Sequence, residues 1–401
     1  MRDKFLRYLC QTSANPLGLV VERAQGSTIY SADGREYLDF VSGIAVTNVG
    51  FAHPKVVEAV KAQAEKYLHV MVYGEYVQSP QVELAEKLAR ALPEPLNVVY
   101  FTNSGAEANE GALKVAKKFT QRRKLIAFDN SFHGDTHGAA SLLGNPAYRQ
   151  PYEPLLPDVE FLPFDNPAAL ERIDETVAAV LVEPIQGEAG VCVPSDEFLP
   201  ALRQRCRETG ALLIFDEVQT GFGRTGKLFA LEHWNVAPDI ITLAKGLGGG
   251  MPLGAFVGSA DVMRALSEDP PLSHVTTFGG HPVCCAAGLA SLNVILEQNL
   301  PQRAAELGEQ IRERLREIGK LGNWEIVEVR GKGLMIAVEF QTAAQASAVM
   351  ERALREGLIL TAFLHADNAL RLAPALTISE AELQRGLDVL EKAIHSSTQK
   401  P

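Results

Sequence analysis

The run Leu212-Leu-Ile-Phe-Asp-Glu-Val-Gln219 carries an apolar stretch onto a carboxylate, and Ile240-Ile-Thr-Leu-Ala-Lys-Gly-Leu-Gly-Gly-Gly250 carries a second one onto an amine. Short apolar runs bounded by polar residues or glycine read as strands buried on both faces. Each run then delivers one reactive side chain, Asp216 or Lys245, to a strand end. The pattern repeats outward: segments 98–101, 125–128, 178–182 and 211–216 read as strands, 105–119 and 197–209 as helices. Such alternation predicts an α/β fold with a mostly parallel sheet covered on both faces.

Upstream, 28–43 reads as a short hairpin turning at Ala32-Asp-Gly34, and 55–68 and 80–91 carry helical apolar spacing. Near residue 290 the pattern shifts. Segment 303–319 is a charged amphipathic helix. Segments 326–329 and 334–340 are strands flanking Gly331-Lys-Gly333, 343–356 is helical, 358–361 and 370–372 are short strands, and 379–396 is a terminal helix. The reading is a large domain over 51–289, a smaller α+β domain over 290–401, and an N-terminal segment, 1–50, packing with the smaller one. No low-complexity linker separates them, so the boundary is expected in a helix.

At 401 residues the chain is too long for one small core. Hydrophobic content of 46% and charged content of 22% suit a soluble enzyme, and a net charge of −11 argues against nucleic acid or an anionic membrane as partner. Five cysteines, an odd number without framework spacing, point to a reducing compartment. No Cys/His cluster has zinc-ligand spacing, so no metal is expected. The N-terminus lacks the apolar core of a signal peptide, and no stretch is long enough to span a bilayer. The expectation is a cytoplasmic protein.

One carboxylate and one amine, each at a strand end, are what a pyridoxal phosphate site needs. The amine condenses with the cofactor's aldehyde, and the carboxylate keeps the pyridine nitrogen protonated so that the ring accepts electrons. A lone lysine is usually a surface charge. Lys245, however, precedes a glycine cluster that lets backbone pass close to a bulky ligand. Asp216 could instead be a helix cap or a metal ligand. Val218 could pack on the ring and Gln219 could donate to its phenolic oxygen. Asn103-Ser-Gly-Ala-Glu-Ala-Asn109 opens a helix whose N–H groups can bind phosphate, although Ser104 and Glu107 also sit at capping-box spacing. Phe132, in Ser131-Phe-His-Gly-Asp135, could stack on the ring or fill a core. Thr277, in Thr276-Thr-Phe-Gly-Gly280, could bind phosphate or cap a turn. Glu188 and Arg371 together suggest a carboxylate-binding arginine with a screening glutamate; separately either could be a solvated charge.

Across nearly the whole chain these motifs resemble the class III (subgroup II) pyridoxal-phosphate aminotransferases of fold type I, the acetylornithine and ornithine enzymes in particular. The matching text includes Ser42-Gly-Ile-Ala-Val46, Glu183-Pro-Ile-Gln-Gly-Glu-Ala-Gly190, Phe215-Asp-Glu-Val-Gln-Thr-Gly-Phe-Gly-Arg-Thr-Gly226 and Val329-Arg-Gly-Lys-Gly-Leu334. The resemblance implies a large domain with a seven-stranded-type sheet and a smaller α+β domain. It implies that Lys245 carries the cofactor and Asp216 pairs with the ring nitrogen. Gly105 and Ala106 offer amides to the phosphate, Phe132 stacks on the ring, and Gln219 touches the ring oxygen. Ser104, Glu183 and Val218 complete the cofactor contacts. Thr277 reaches the phosphate of a neighbouring subunit, so a homodimer with shared sites is implied. Arg371 binds the α-carboxylate of glutamate or 2-oxoglutarate, and Glu188 masks it when an ω-amine donor binds. Thr276 and Asp135 belong to the expected substrate-contacting set.

Three departures stand out. Asp135 replaces the arginine that holds the far carboxylate of acetylornithine or ornithine in this family. His281 replaces the usual asparagine in Gly-Gly-Asn-Pro. The pair Cys284-Cys285 follows. The expected reaction is ping-pong transfer from an ω-amino donor to 2-oxoglutarate. Alternatives are a diaminopelargonic acid-type or diamine aminotransferase, with lower ranks for a glutamate-semialdehyde-type aminomutase and a noncatalytic cofactor-binding protein.

Overall fold

The computed structural model describes residues 1–72, 74–321 and 326–396. Strands β1 (Val21–Gln25), β2 (Thr28–Ser31) and β3 (Glu36–Asp39) form an antiparallel meander, which contains the expected hairpin. The central sheet follows: β4 (Val98–Thr102), β5 (Lys124–Phe128), β6 (Val159–Leu162), β7 (Val177–Val182), β8 (Leu212–Asp216), β9 (Ile240–Leu243) and β10 (Gly254–Gly258). Its order is β4-β10-β9-β8-β7-β5-β6, and only β10 runs against the others. The sequence is responsible for this burial. All residues of β7, β8 and β9 are buried, as continuous apolar strands under helices on both faces must be.

Two strands of this sheet escape the sequence reading. β6 is a half-buried edge strand, and β10 (Gly-Ala-Phe-Val-Gly) is bounded by glycines that look like loop. The helix Pro282–Glu297 is also missed. It bends by 65° into Leu300–Leu321, the expected amphipathic helix. No single helix among the described residues is long and apolar enough to cross a membrane.

The C-terminal part builds β11 (Ile326–Lys332), β12 (Met335–Phe340), β13 (Leu358–Ile359), β14 (Thr361–Ala362) and β15 (Ala369–Leu372). β11, β12, β15 and β14 form one antiparallel sheet, but β13 leaves it to pair in parallel with β3. The single strand expected over 358–361 is therefore two. One apolar run feeds two sheets because Leu358 and Leu360 both stay buried across the switch.

Arg224 ties these parts together. It is fully buried, and its Nη1 donates to the carbonyls of Leu334 (3.0 Å) and Pro374 (2.6 Å), its Nη2 to Asn48 Oδ1 (2.7 Å). The backbone of Leu334 returns a hydrogen bond to the Arg224 carbonyl. Removing one side of such a buried polar set leaves the other side desolvated and unpaired. Arg224→Met is therefore expected to lower stability by roughly 3 kcal/mol or more, read as a shifted chemical-denaturation midpoint. An unchanged midpoint would show that the set is not holding the parts together.

Candidate active site

Every strand of the central sheet except β10 runs in one direction, so the carboxyl ends of β4, β5, β7, β8 and β9 share one edge. Ligands gather at that edge in open α/β sheets. Here it opens into a cavity of about 450 Å³. Asn103 and Ser104 enter from the end of β4, Phe132 and His133 from beyond β5, Glu183 from β7, Asp216 from β8, and Lys245 from just beyond β9.

Asp216 is 4% exposed, and a carboxylate this buried needs donors. It has three. Asn109 Nδ2 and His133 Nδ1 each lie 2.8 Å from Oδ2, and the Val218 amide donates to Oδ1 (3.0 Å). Asn109 is held in turn by the His133 carbonyl and by the Thr242 hydroxyl. Oδ2 is thus occupied within the protein, and Oδ1 keeps acceptor capacity beside the cavity.

The helix Gly105–Thr120 points its N-terminus at the same cavity. Ser104 caps it by accepting from the Glu107 amide. Glu107 reaches one residue further back than a capping box requires, accepting from the Asn103 amide and side chain. Gly105 and Ala106, at the first two helical positions, have no carbonyl partner in their own helix. Their N–H groups and the helix dipole form an anion site. A Cβ on Gly105 would lie 2.7 Å from a Val218 methyl, so only glycine lets Val218 and the helix end close on the same space.

Lys245 lines the cavity with its backbone at φ 47°, a left-handed conformation that side chains other than glycine rarely take. Burial lowers its pKa; Glu188 opposes that and Arg371 adds to it. Glu183 accepts from the amides of Phe132 and Gly187, and burial raises its pKa to about 7. The Glu183 loop therefore places the Phe132 ring at the cavity wall.

Beside the cavity, β15 supplies Arg371, 2% exposed, with its guanidinium 4.5 Å from the Phe363 ring centroid. Its Nη2 donates to Glu188 Oε1 at 2.7 Å, while its buried Nε and Nη1 have no partner among the described residues. Both guanidinium edges that can grip a carboxylate bidentately, Nη1/Nη2 and Nε/Nη2, include Nη2. Glu188 thus takes one N–H of Nη2, the nitrogen that both edges share. Burial pushes the Glu188 pKa up, but Arg371 and Lys245 outweigh it and hold this carboxyl below its usual range.

Among the residues expected at the site, Ser104, Gly105, Ala106, Phe132 and Glu183 line the cavity, as do Asp216, Val218, Gln219 and Lys245. Glu188 and Arg371 join it through Gln219, which donates to Glu188. Three others do not line the cavity themselves. Asp135 and Thr277 are exposed, and Thr276 accepts from the Asn103 side chain. The Thr277 carbonyl lies 2.8 Å from His69 Nε2. Asn109 and His133 carry no role in the sequence reading; Asn109 lies one helical turn beyond Gly105, and that spacing is the available signal.

Two of the departures gain an explanation. His281 caps the helix Pro282–Glu297, its Nδ1 accepting from the Val283 amide at 3.3 Å, which is the work an asparagine would do there. Cys284 and Cys285 are buried in the same helix, where burial pushes their thiol pKa values up and makes them packing residues.

A family model described as aminotransferase class-III matches residues 9–394. The acetylornithine aminotransferase of Methanopyrus kandleri is 45% identical over 374 residues, covering 93% of each chain. The putrescine aminotransferase of Pectobacterium atrosepticum is 42% identical, covering 95% of this chain and 84% of that one. The crystal structure of ornithine aminotransferase from Toxoplasma gondii superposes with a TM-score of 0.91 at 33% identity, covering 99% of this chain and 96% of that one. Class-III aminotransferases use pyridoxal phosphate. The cavity fits that group, with an anion-binding helix end, a buried carboxylate with a spare lone pair, an aromatic wall and a desolvated amine.

The lowered Lys245 pKa gives a test on the cofactor-free protein. Only a neutral amine reacts with an acylating reagent, and a lowered pKa means that the neutral form appears at lower pH. Competitive labelling followed by peptide mapping should place the Lys245 midpoint below that of a free lysine side chain. A midpoint at or above the free value would contradict the electrostatics described here.

Proposed function

The chain belongs to the class-III aminotransferases, and on that premise we propose that it moves an amino group from an ω-amino donor of the ornithine or acetylornithine kind to 2-oxoglutarate by a ping-pong mechanism. The observation that carries this reading is the Glu188 carboxylate on Nη2 of a buried Arg371. A donor reacting at its far amine brings no carboxylate next to the reacting carbon. Glu188 then stays on Arg371 and neutralises it. A 2-oxo diacid does bring a carboxylate there, and it competes with Glu188 for Nη2, the nitrogen that both edges of the guanidinium share. One site thus handles two differently charged substrates in turn, which a ping-pong sequence requires.

When bound, pyridoxal phosphate supplies an electron-accepting ring that makes the amine-bearing carbon of the donor acidic. Asp216 would hold the proton on the ring nitrogen, its own charge fixed by Asn109, His133 and the Val218 amide. The Gly105 and Ala106 amides would hold the phosphate, and Phe132 would cover one ring face. Lys245 Nζ, desolvated and thus readily neutral, would take the proton from the donor carbon and return it to the cofactor side. Glu183, by fixing the Phe132 amide, would orient that wall.

We also propose a homodimer. Around the His69–Thr277 contact, Leu68, Val70, Val275 and Phe278 are exposed apolar residues on one patch, the composition of a surface that another copy covers. Thr277 would then serve the partner's phosphate site. The division into 1–50, 51–289 and 290–401 is retained as a proposal, residues 397–401 lying outside the described ones. A reducing cytoplasmic setting accords with five unpaired cysteines.

A second reading has its own support. Asp135 and the putrescine aminotransferase relative favour a donor whose far end is cationic, such as a diamine.

The decisive experiment is a donor panel with 2-oxoglutarate, scored by glutamate formed, with parallel initial-rate lines expected. Arg371→Gln should cut kcat/KM for 2-oxoglutarate about a hundredfold, since it strips one partner from a buried charge pair. The spectral change caused by donor alone should survive. Equal loss in both half-reactions would sink the assignment of Arg371 to the acceptor. For the donor, Asp135→Arg should raise kcat/KM with N-acetylornithine by at least about tenfold, since an exposed pair of charges at contact is worth about 1 kcal/mol and the substitution turns repulsion into attraction. No rise would mean that position 135 does not read the far carboxylate.

A further inference from the structure

We propose that Gln219 is the positioning residue that sets how firmly Glu188 masks Arg371, and so tunes the balance between the amine donor and the dicarboxylate acceptor. The inference rests on the reading that Arg371 receives the acceptor's carboxylate.

Three donors hold Glu188. Arg371 Nη2 and Gln219 Nε2 share Oε1, at 2.7 and 3.2 Å, and the Leu364 amide donates to Oε2 at 3.2 Å. Arg371 is the masked group itself, and Leu364 contributes main chain. Gln219 is therefore the one side chain of the three that favours the masked arrangement without being what is masked. It is also held in place. The preceding residue, Val218, is fixed by its amide hydrogen bond to Asp216 Oδ1, so Gln219 leaves the backbone from the turn that orients the Asp216 carboxylate. Its amide fills the space above Gly187, where a Cβ would fall 2.6 Å from Gln219 Nε2.

A carboxamide nitrogen carries two N–H bonds. One reaches Glu188, and the other remains for the cavity that Gln219 lines. When a substrate carboxylate takes the Nη2 N–H that Glu188 holds, Glu188 must leave, and its hydrogen bond to Gln219 is given up in the same event. Each donor that favours the masked state subtracts from the apparent affinity for the incoming carboxylate. A hydrogen bond to a charged acceptor is strong enough for that effect to reach about tenfold.

The test uses glutarate, a diacid with neither amino nor oxo group, titrated calorimetrically into the cofactor-loaded protein. Glu188→Ala should tighten glutarate binding. Gln219→Met, which keeps length and removes the donor, should tighten it about three- to tenfold. Gly187→Ala should act in the same direction by pushing the Gln219 amide aside, and it leaves Gln219 itself intact if Gln219→Met folds poorly. The double variant Glu188→Ala/Gln219→Met should bind no more than about twofold tighter than Glu188→Ala, because Gln219 then has nothing to hold. Wild-type affinity in both Gln219→Met and Gly187→Ala overturns the proposal, and so does multiplication of the two effects in the double variant. If Glu188→Ala itself fails to tighten binding, the masking reading beneath the proposal is wrong, a result separable from failure of Gln219 alone.

Discussion

A carboxyl group buried at a strand end is the constraint from which the site follows. Asp216 cannot be left without donors in so dry a place, and its donors come from separate elements. Asn109 projects from the helix that follows β4, His133 from the loop after β5, and the Val218 amide from the turn just beyond β8. Satisfying one carboxylate therefore fixes three segments relative to each other. The helix contributes twice, since its first turn offers Gly105 and Ala106 as an anion site and the next turn offers Asn109. At 1.5 Å per residue, the distance along the axis from 105 to 109 is about 6 Å. One rigid helix would thus set the spacing between a phosphate held at its first turn and a ring nitrogen held at Asp216.

Charge balance around this frame pushes the amine toward neutrality and keeps the arginine paired. Glu183, Glu188 and Asp216 face Lys245 and Arg371 in a poorly solvated space. Burial alone favours the neutral forms of Glu183, Glu188 and Lys245. Glu188 stays ionised because Arg371 and Lys245 support it. Lys245 is pushed toward neutrality because burial and Arg371 outweigh its carboxylate neighbours. The same glutamate therefore steadies one cation and moderates the other. Moving Glu188 off Arg371 changes the field at Lys245, so carboxylate binding and proton handling share a variable.

Residues whose position is set by local pattern were the legible ones. Asp216 and Lys245 stood out because apolar strands end on them, and the anion site stood out because a strand gives way to Asn103-Ser-Gly. Asn109 and His133 did not, because an asparagine inside a helix and a histidine in a glycine loop have no local signature; their role arises only when β8 brings Asp216 between them. β10 was lost for a similar reason, its glycine borders imitating a loop. The split of 358–361 into β13 and β14 depends on which sheet lies nearby, which periodicity cannot encode. His281 and Cys284-Cys285 looked like oddities in the motif and are a helix cap and core packing.

Asp135 and Thr277 are the expected site residues that face solvent, and Thr277 lies among exposed apolar neighbours. For an exposed carboxylate such as Asp135, a substrate charge at 4 Å is worth about 1 kcal/mol in water and about 4 kcal/mol at an intermediate dielectric. Whether Asp135 selects the donor thus depends less on its identity than on what covers it. Anything that excluded water around Asp135 would change the same aspartate from a minor surface charge into a strong discriminator against donors that end in a carboxylate.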